Sequence, residues 1–259
     1  MTTKLYYIDC LTNLHVGSGD ANFNIVDKEV EKDPITGDPI IHASGIKGAL
    51  RDAFKKFGNM DKEFEIFGKP ASANESNTVG TYKFFDAHIL YRPLRAKGGI
   101  YPYVNVTTVE SVNAFIDIVT AFGINAGVKK ISVTFHENIN FLTSEQGVQV
   151  EGEASQKLDD ENINNLKKLF GDNFAIAKSL DDYPLPVIAR NNLQGKGNLW
   201  YEEYVPHGSR FYMLAIIPDG ASADEVNKVI PKMGQVGGNA SVGYGYCSFT
   251  AQEGKNEQA

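Results

Sequence analysis

The chain has 259 residues, 42% hydrophobic and 22% charged, close to the average for folded globular proteins, which excludes wholesale disorder and a fibrous repeat. A fold of this size buries roughly 70–75% of its unfolded surface, so a core forms without disulfide or metal staples. The formal net charge of −7 runs against nucleic acid, whose binders ordinarily carry a basic footprint, unless acids and bases are segregated along the chain.

They are segregated in sequence. Lys47, Arg51, Lys55 and Lys56 share one predicted helix and Arg92, Arg95 and Lys97 one loop, while acids gather at Glu151 to Glu161 and at Asp181–Asp182. No apolar run approaches the roughly 20 residues that span a bilayer. The start MTTKLYYIDCLTNL lacks the basic flank and apolar stretch of a signal peptide, so no membrane partner and a cytoplasmic location are expected. Cys10 and Cys247 are the only cysteines. Both fall in strand-like segments, which suits buried reduced thiols better than a disulfide framework or a structural zinc.

In chain order, residues 3–12 (TKLYYIDCLT) read as a first strand. A long loop rich in Gly, Asp, Asn and Pro follows from Asn13 to His42, and loops of that length are usually functional. Ser44 is the expected N-cap of a helix to Phe57, with Ile46, Ala49, Leu50, Ala53, Phe54 and Phe57 on one face and Gly58 as its stop. Residues 82–91 and 98–106 read as strands. Thr107 and Glu110 have capping-box spacing for a helix to about Phe122. The stretch 124–182 reads as an insertion with a strand at 131–135 and a helix near 160–170. Residues 184–209 hold three prolines and the turn LQGKGN between LPVIARN and LWYEEYV, a protruding β-hairpin. A strand at 210–217, a helix from Ser222 with Glu225 as capping partner and Pro231 as its stop, and the segment VGGNASVGYGYCSFT complete the chain. Strand, helix and strand recur at both ends, which points to an α+β fold with a ferredoxin-like, RRM-type sheet.

Four segments carry chemistry. In LHVGSGDANFNIVDKEV, His15, Asp20 and Asp27 share one loop before a helix whose N-terminus can hold phosphate. The bland alternative makes Asp20 a turn cap and His15 a satisfied strand-end histidine. In HASGIKGALR, small residues around Ser44 and Gly45 let a phosphate approach backbone amides, with Lys47 and Arg51 one turn apart. The glycines of GGNASVGYGYC fit neither a dinucleotide fingerprint nor a phosphate loop, and suit close passage of an RNA backbone over a strand end. On the hairpin, Trp200 and Tyr201 offer rings for base stacking beside the paired Glu202–Glu203.

Taken together, His15-Val-Gly-Ser-Gly19, Val26-Asp27, Thr36–Gly37 leading to Ser44-Gly-Ile-Lys-Gly48 and Arg51, Asp86-Ala-His-Ile-Leu90 with Arg92-Pro-Leu-Arg95, Asn198-Leu-Trp-Tyr-Glu-Glu203 and Gly237-Gly-Asn-Ala-Ser-Val-Gly-Tyr-Gly245 resemble the RAMP superfamily. Within it they resemble the repeated backbone subunit of the type III-B CRISPR Cmr effector. The resemblance implies a single domain over 1–259: a ferredoxin-like palm, a helical insertion at about 124–182 and a β-hairpin thumb at about 184–209. It implies guide CRISPR RNA, target RNA, copies of the chain in a helical stack and other Cmr subunits as partners. It also implies target RNA cleavage at regular intervals, where each thumb kinks the duplex.

The position matching the family's cutting aspartate is Asp27, which would hold Mg²⁺ or orient the attacking 2′-hydroxyl. A carboxylate is a feeble base toward a hydroxyl, so His15 is the better proton carrier if it reaches the site. Lys47 and Arg51 match the helix that follows the guide backbone, and Ser44, Gly45, Arg92, Arg95, Trp200, Tyr201, Gly238, Asn239, Ser241 and Gly243 are the further residues expected to bind RNA. Where the family commonly has a proline after that aspartate and a hydrophobic residue, this chain has Asp27-Lys28-Glu29-Val30. Two rivals stand beside this reading: a non-catalytic guide-RNA scaffold, and a small-molecule enzyme holding a nucleotide phosphate on its C-terminal glycines.

Overall fold

A computed structural model describes residues 1–17, 19, 26–57, 62–69, 78–192 and 198–252. Asp20, the Gly58 stop and most of the LQGKGN turn lie outside them. The chain divides into two compact units. One comprises Met1–His88, Leu185–His207 and Phe211–Glu253, and the other Ile89–Pro184 with Gly208–Arg210.

The first unit opens with β1 (Thr2–Cys10), whose Leu5, Tyr6, Ile8 and Cys10 are buried. After the long loop, the short β2 (Ile40–Ile41) leads into α1 (Ala43–Phe57). Gly45 and Gly48 each cost this helix about 1 kcal/mol relative to alanine. Burial of Ile46, Leu50 and Phe54 along one stripe contributes about 1.5–3 kcal/mol apiece and outweighs that cost. The start of α1 departs from expectation. Ser44 is exposed inside the helix, and the Ala43 amide donates instead to Asp86 Oδ1 at 2.6 Å. The cap comes from 43 residues away.

Next come α2 (Glu63–Phe67) and β3 (Lys83–Phe84). Between them Gly80 passes so close to α2 that an added Cβ would stand 2.3 Å from the Ile66 carbonyl oxygen, which only glycine permits. The next strand, β4 (Ala87–Lys97), begins in this unit, pairs there with β2, and runs into the second.

The second unit continues with β5 (Tyr103–Thr108) and α3 (Val109–Ala121). The α3 cap is Thr108, whose side chain accepts from the Ser111 amide, one residue later than expected. Thr107 remains in β5, where it pairs with Ile176. The short strands β6 (Phe141–Thr143), β7 (Gln149–Val150), β8 (Glu153–Ala154) and β9 (Gln156–Lys157) follow. Then come α4 (Asp160–Phe170), capped by Asp159, and β10 (Phe174–Ala177). Within the unit, β4, β5, β10, β6 and β9 lie side by side in a mixed ladder, parallel at β5–β10 and β6–β9. The expected strand at 131–135 is absent, because the Asn113 side-chain amide satisfies both the N–H and the C=O of Ile131 at 2.9 Å. A ladder has nothing left to claim there. The core of this unit is Val104, Val106, Phe141, Val150, Ala175 and their neighbours.

The chain then returns to the first unit through a hairpin, β11 (Val187–Asn192) and β12 (Asn198–Glu203), in antiparallel register from Val187↔Glu203 to Asn192↔Asn198. After β13 (Arg210–Ile217), α5 (Ala223–Val229) is capped by Ser222 on the Glu225 amide and stops before Pro231. β14 (Met233–Gln235), a 3₁₀ turn at Ala240–Val242 and β15 (Tyr246–Ala251) complete the chain. In the first unit β14, β15, β1 and β13 are neighbours in that order. Cys10 and Cys247 face each other across β1 and β15, both buried. The hydrogen bond that the Cys10 thiol donates to Cys247, together with burial, pushes that thiol well above its ordinary pKa. The fold is α+β, with a mixed sheet and few helices. Among the described residues, no helix is long and apolar enough to cross a membrane.

The cap on α1 is testable. Asp86→Ala should lower stability by about 1 kcal/mol, whereas Asp86→Asn, which still accepts from Ala43, should stay near wild type. Chemical denaturation of the two variants measures this, and equal midpoints would remove the cap.

Candidate functional site

The loop after β1 is held at three places. The Leu14 and Val205 backbones exchange hydrogen bonds of 2.9 and 2.8 Å just beyond β12. The next side chain, His15, is only 7% exposed, with Nδ1 2.7 Å from the Glu203 carbonyl oxygen. A carbonyl can only accept, so Nδ1 carries the proton of that bond. The Gly238 amide donates to the His15 carbonyl at 2.8 Å. Gly237, at φ +74°, lies so close that an added Cβ would stand 2.3 Å from that oxygen. His15 is thus a joint between the loop, the hairpin and the C-terminal glycine turn, and its burial takes the ring away from solvent.

Asp27 lies further along the loop, against β12. Its amide and that of Lys28 both donate to the Tyr201 carbonyl at 3.1 Å, and the Tyr201 amide returns a hydrogen bond to Asp27 Oδ2 at 2.8 Å. The side chain is half-buried. Oδ1 takes part in no hydrogen bond among the described residues. The segment continues in register: the Glu203 amide donates to the Lys28 carbonyl at 2.9 Å, and Val30 and Lys32 donate to the Glu203 carboxylate at 3.0 and 3.1 Å.

Glu202 and Glu203 are adjacent on β12 and therefore point to opposite faces. Both are buried, at 2% and 5% exposure, and buried carboxylates demand partners. Glu203 is satisfied by the loop. Glu202 receives Lys28 Nζ at 3.0 Å on Oε1, and on Oε2 it receives Arg190 Nε of β11 and Asn239 Nδ2 at 3.1 Å. Burial pulls the Glu202 carboxyl upward, but hydrogen bonds from Lys28 and Arg190 outweigh it and hold the pKa below the ordinary value. Arg190 also stacks over Tyr244, 4.7 Å from the ring centroid. Loop, hairpin and glycine turn therefore converge on one carboxylate. The pairing was invisible in sequence, yet two neighbouring acids in an aromatic strand signal that at least one must find cations.

The other candidates are placed as follows. Trp200 is half-buried under Lys28, whose Nζ sits 5.3 Å from the ring centroid, while Tyr201 is 40% exposed. Asn239, at φ 60°, uses its amide on Glu202, and Gly238, Ser241 and Gly243 are exposed around it. On α1, Ser44 and Gly45 are exposed near the helix start, and Lys47 carries no ion pair among the described residues. Arg51 is taken up locally, with Nε 2.5 Å from the buried Glu63 and Nη2 3.1 Å from the Gly68 carbonyl. Arg92 and Arg95 belong to the second unit. Arg92 is buried and donates to the Tyr183 carbonyl, which takes it off the surface a phosphate can reach. Arg95 is exposed but held by Glu151, 2.8 Å from Nη2. No cluster of three or more His, Cys, Asp or Glu side chains suited to a metal ion occurs among the described residues.

A partly exposed carboxylate on a loop clamped to a hairpin suits orientation of a polar substrate better than protein-caged metal chemistry. The CRISPR system Cmr endoribonuclease Cmr4 of Pyrococcus furiosus is 27% identical over 99% of this chain and 98% of its own length. The CRISPR system CMR subunit Cmr4 of Saccharolobus solfataricus is 25% identical over 81% of this chain and 82% of its own. Among solved structures, oligomeric Cmr4 from Pyrococcus furiosus superposes with a TM-score of 0.70 at 22% identity, covering 97% of this chain and 98% of that one. A chain of the type III-B Cmr-β complex bound to cognate target RNA gives 0.71 at 19%, covering 97% of each. These chains share the fold. The model of the RAMP superfamily matches residues 7–248, and the chain belongs to that superfamily.

Proposed function

We propose that this chain is a backbone subunit of a type III-B CRISPR effector, which binds guide RNA, stacks with its own copies and other Cmr subunits, and cuts complementary target RNA at Asp27. In this reading the first unit carries the ferredoxin-like palm and β11–β12 are the thumb. The observation that carries the cutting role is the Asp27 carboxylate itself: half-exposed, pinned through Oδ2 to the thumb strand, and with Oδ1 unengaged among the described residues. Similarity to a Cmr endoribonuclease over 99% of the chain supports it.

RNA brings its own nucleophile, the 2′-hydroxyl. A subunit need only hold a displaced nucleotide so that this oxygen lines up with the adjacent phosphorus and its leaving oxygen. The Tyr201 contacts fix Asp27 for that task, with Oδ1 accepting from the 2′-hydroxyl. A Mg²⁺ ion at this place would find one protein ligand in Asp27 Oδ1 and complete its shell from water and RNA phosphate, a donor set Mg²⁺ accepts; bound there, it would neutralise phosphate charge. His15, tied by Nδ1 to Glu203, positions the loop. Along α1, the Ser44 and Gly45 amides and Lys47 contact the guide backbone. A non-catalytic scaffold is the second reading, favoured by the use of Asp27 Oδ2 in a purely structural bond to the thumb.

Asp27→Asn separates the two. In an effector assembled on guide RNA it should leave assembly and target binding unchanged and abolish cleavage, read on a labelled target; cutting at the wild-type rate would return the chain to the scaffold reading. Lys47→Ala should weaken guide binding and reduce the slope of log affinity against log salt by about 0.7, the share of one phosphate on a single strand. An unchanged slope would detach Lys47 from phosphate.

A further inference from the structure

We propose that Lys28 is a further catalytic residue of this reaction: its ammonium hydrogen-bonds a non-bridging oxygen of the scissile phosphate and stabilises the charge that grows there as the 2′-oxygen attacks. The proposal rests on the reading of Asp27 above. It is not carried over from relatives, because Lys28 stands where this chain departs from the family pattern.

Three observations converge. First, Lys28 is fixed relative to Asp27, since the amides of both residues donate to the Tyr201 carbonyl at 3.1 Å and the Lys28 carbonyl accepts from Glu203 at 2.9 Å. Second, its side chain is held at the site, with Nζ 3.0 Å from Glu202 Oε1 and 5.3 Å from the Trp200 ring centroid, yet it remains 51% exposed. Third, the charges do not balance. The Glu202 carboxylate, 2% exposed, meets two cations, Lys28 and Arg190. Arg190, 18% exposed and stacked on Tyr244, neutralises the carboxylate from within. The surplus positive charge lies on Lys28, half-exposed and on the residue that follows Asp27.

Lys28 serves Glu202 Oε1 while Arg190 and the Asn239 amide serve Oε2, and this service does not exhaust the ammonium. An ammonium has three donors, and Glu202 engages one of them.

The chemistry needs such a group. A bond forms from the 2′-oxygen to phosphorus while the 2′ proton passes to solvent, and the five-coordinate centre carries one more negative charge than the starting diester. The bond from phosphorus to the 5′-oxygen then breaks, and water protonates the leaving oxygen, giving a 2′,3′-cyclic phosphate and a 5′-hydroxyl. A fixed cation stabilises the charge-rich state more than the diester, which is what accelerates a reaction.

The test uses the assembled effector with guide RNA, under single turnover, on targets bearing either phosphorothioate diastereomer at a scissile linkage. Lys28→Gln keeps a donor for Glu202 without the charge. It should cut the all-oxygen target about 10²-fold more slowly, with target affinity unchanged, and should lose the wild-type preference between diastereomers. Lys28→Arg should recover most of the rate. Lys28→Gln at the wild-type rate, or slowed with its diastereomer preference intact, overturns the proposal. If Lys28→Gln fails to assemble, Lys28→Arg decides: a changed diastereomer preference supports contact with phosphate, and an unchanged one overturns it. Asp27→Asn run in parallel separates the failures. Cleavage by Asp27→Asn sinks the reading of Asp27, whereas an inactive Asp27→Asn beside a fully active Lys28→Gln sinks Lys28 alone.

Discussion

A carboxylate removed from water must be compensated, and the first unit is organised around that requirement at Glu202. Three segments distant in sequence each bring a donor: Lys28 from the long loop, Arg190 from the neighbouring hairpin strand and Asn239 from the glycine turn. Removing a partner from a buried pair costs about 3–5 kcal/mol, because the remaining charge keeps its desolvation penalty. For Lys28, which is half in water, the loss is smaller, and for Arg190 it is nearer the full amount. The chain thereby ties its first long loop to its hairpin through an interaction that tolerates little displacement.

Glu203 extends the same logic to the opposite face of the strand. Its carboxylate takes the Val30 amide and Lys32, and its carbonyl takes His15. One dipeptide therefore fixes the loop on both sides of Asp27, and Tyr201 supplies the remaining contacts. Pre-organisation of this kind is what a cleavage reaction with a substrate-borne nucleophile asks of a protein. The same arrangement explains why Gly237 must be glycine: the turn reaches His15 only by passing where a Cβ would collide with its carbonyl.

What was legible in sequence follows from how locally each feature is specified. The helices α3, α4 and α5 were readable because cap and apolar spacing lie within a few residues, although Thr108 rather than Thr107 caps α3. The cap on α1 was not readable, because Asp86 supplies it across 43 positions. Residues 131–135 have strand composition, but the Asn113 side chain takes up the backbone of Ile131. In the site, Asp27 and the glycine turn were singled out by composition and resemblance. Arg51 and Arg92 looked like phosphate ligands because their acceptors, Glu63 and the Tyr183 carbonyl, are chosen by the fold.

These pairings also bear on how a chain of net charge −7 can meet a polyanion. Three of the cations offered to RNA by the helix and strand clusters are already neutralised: Arg51 by Glu63, Lys55 by Asp52 and Glu63, Arg95 by Glu151. Lys47 on α1 has no ion pair among the described residues, and Lys28 shares its partner with Arg190. On the proposed reading, each such pairing removes a cation from the counterion release, so part of the affinity comes from shape, backbone amides and stacking, and falls less steeply with salt than that of a basic groove. In the proposed assembly, stacked copies on one guide would make that sufficient. Each added subunit binds at the effective concentration set by its neighbours, so weak contacts repeated along one strand hold it where a single subunit would not.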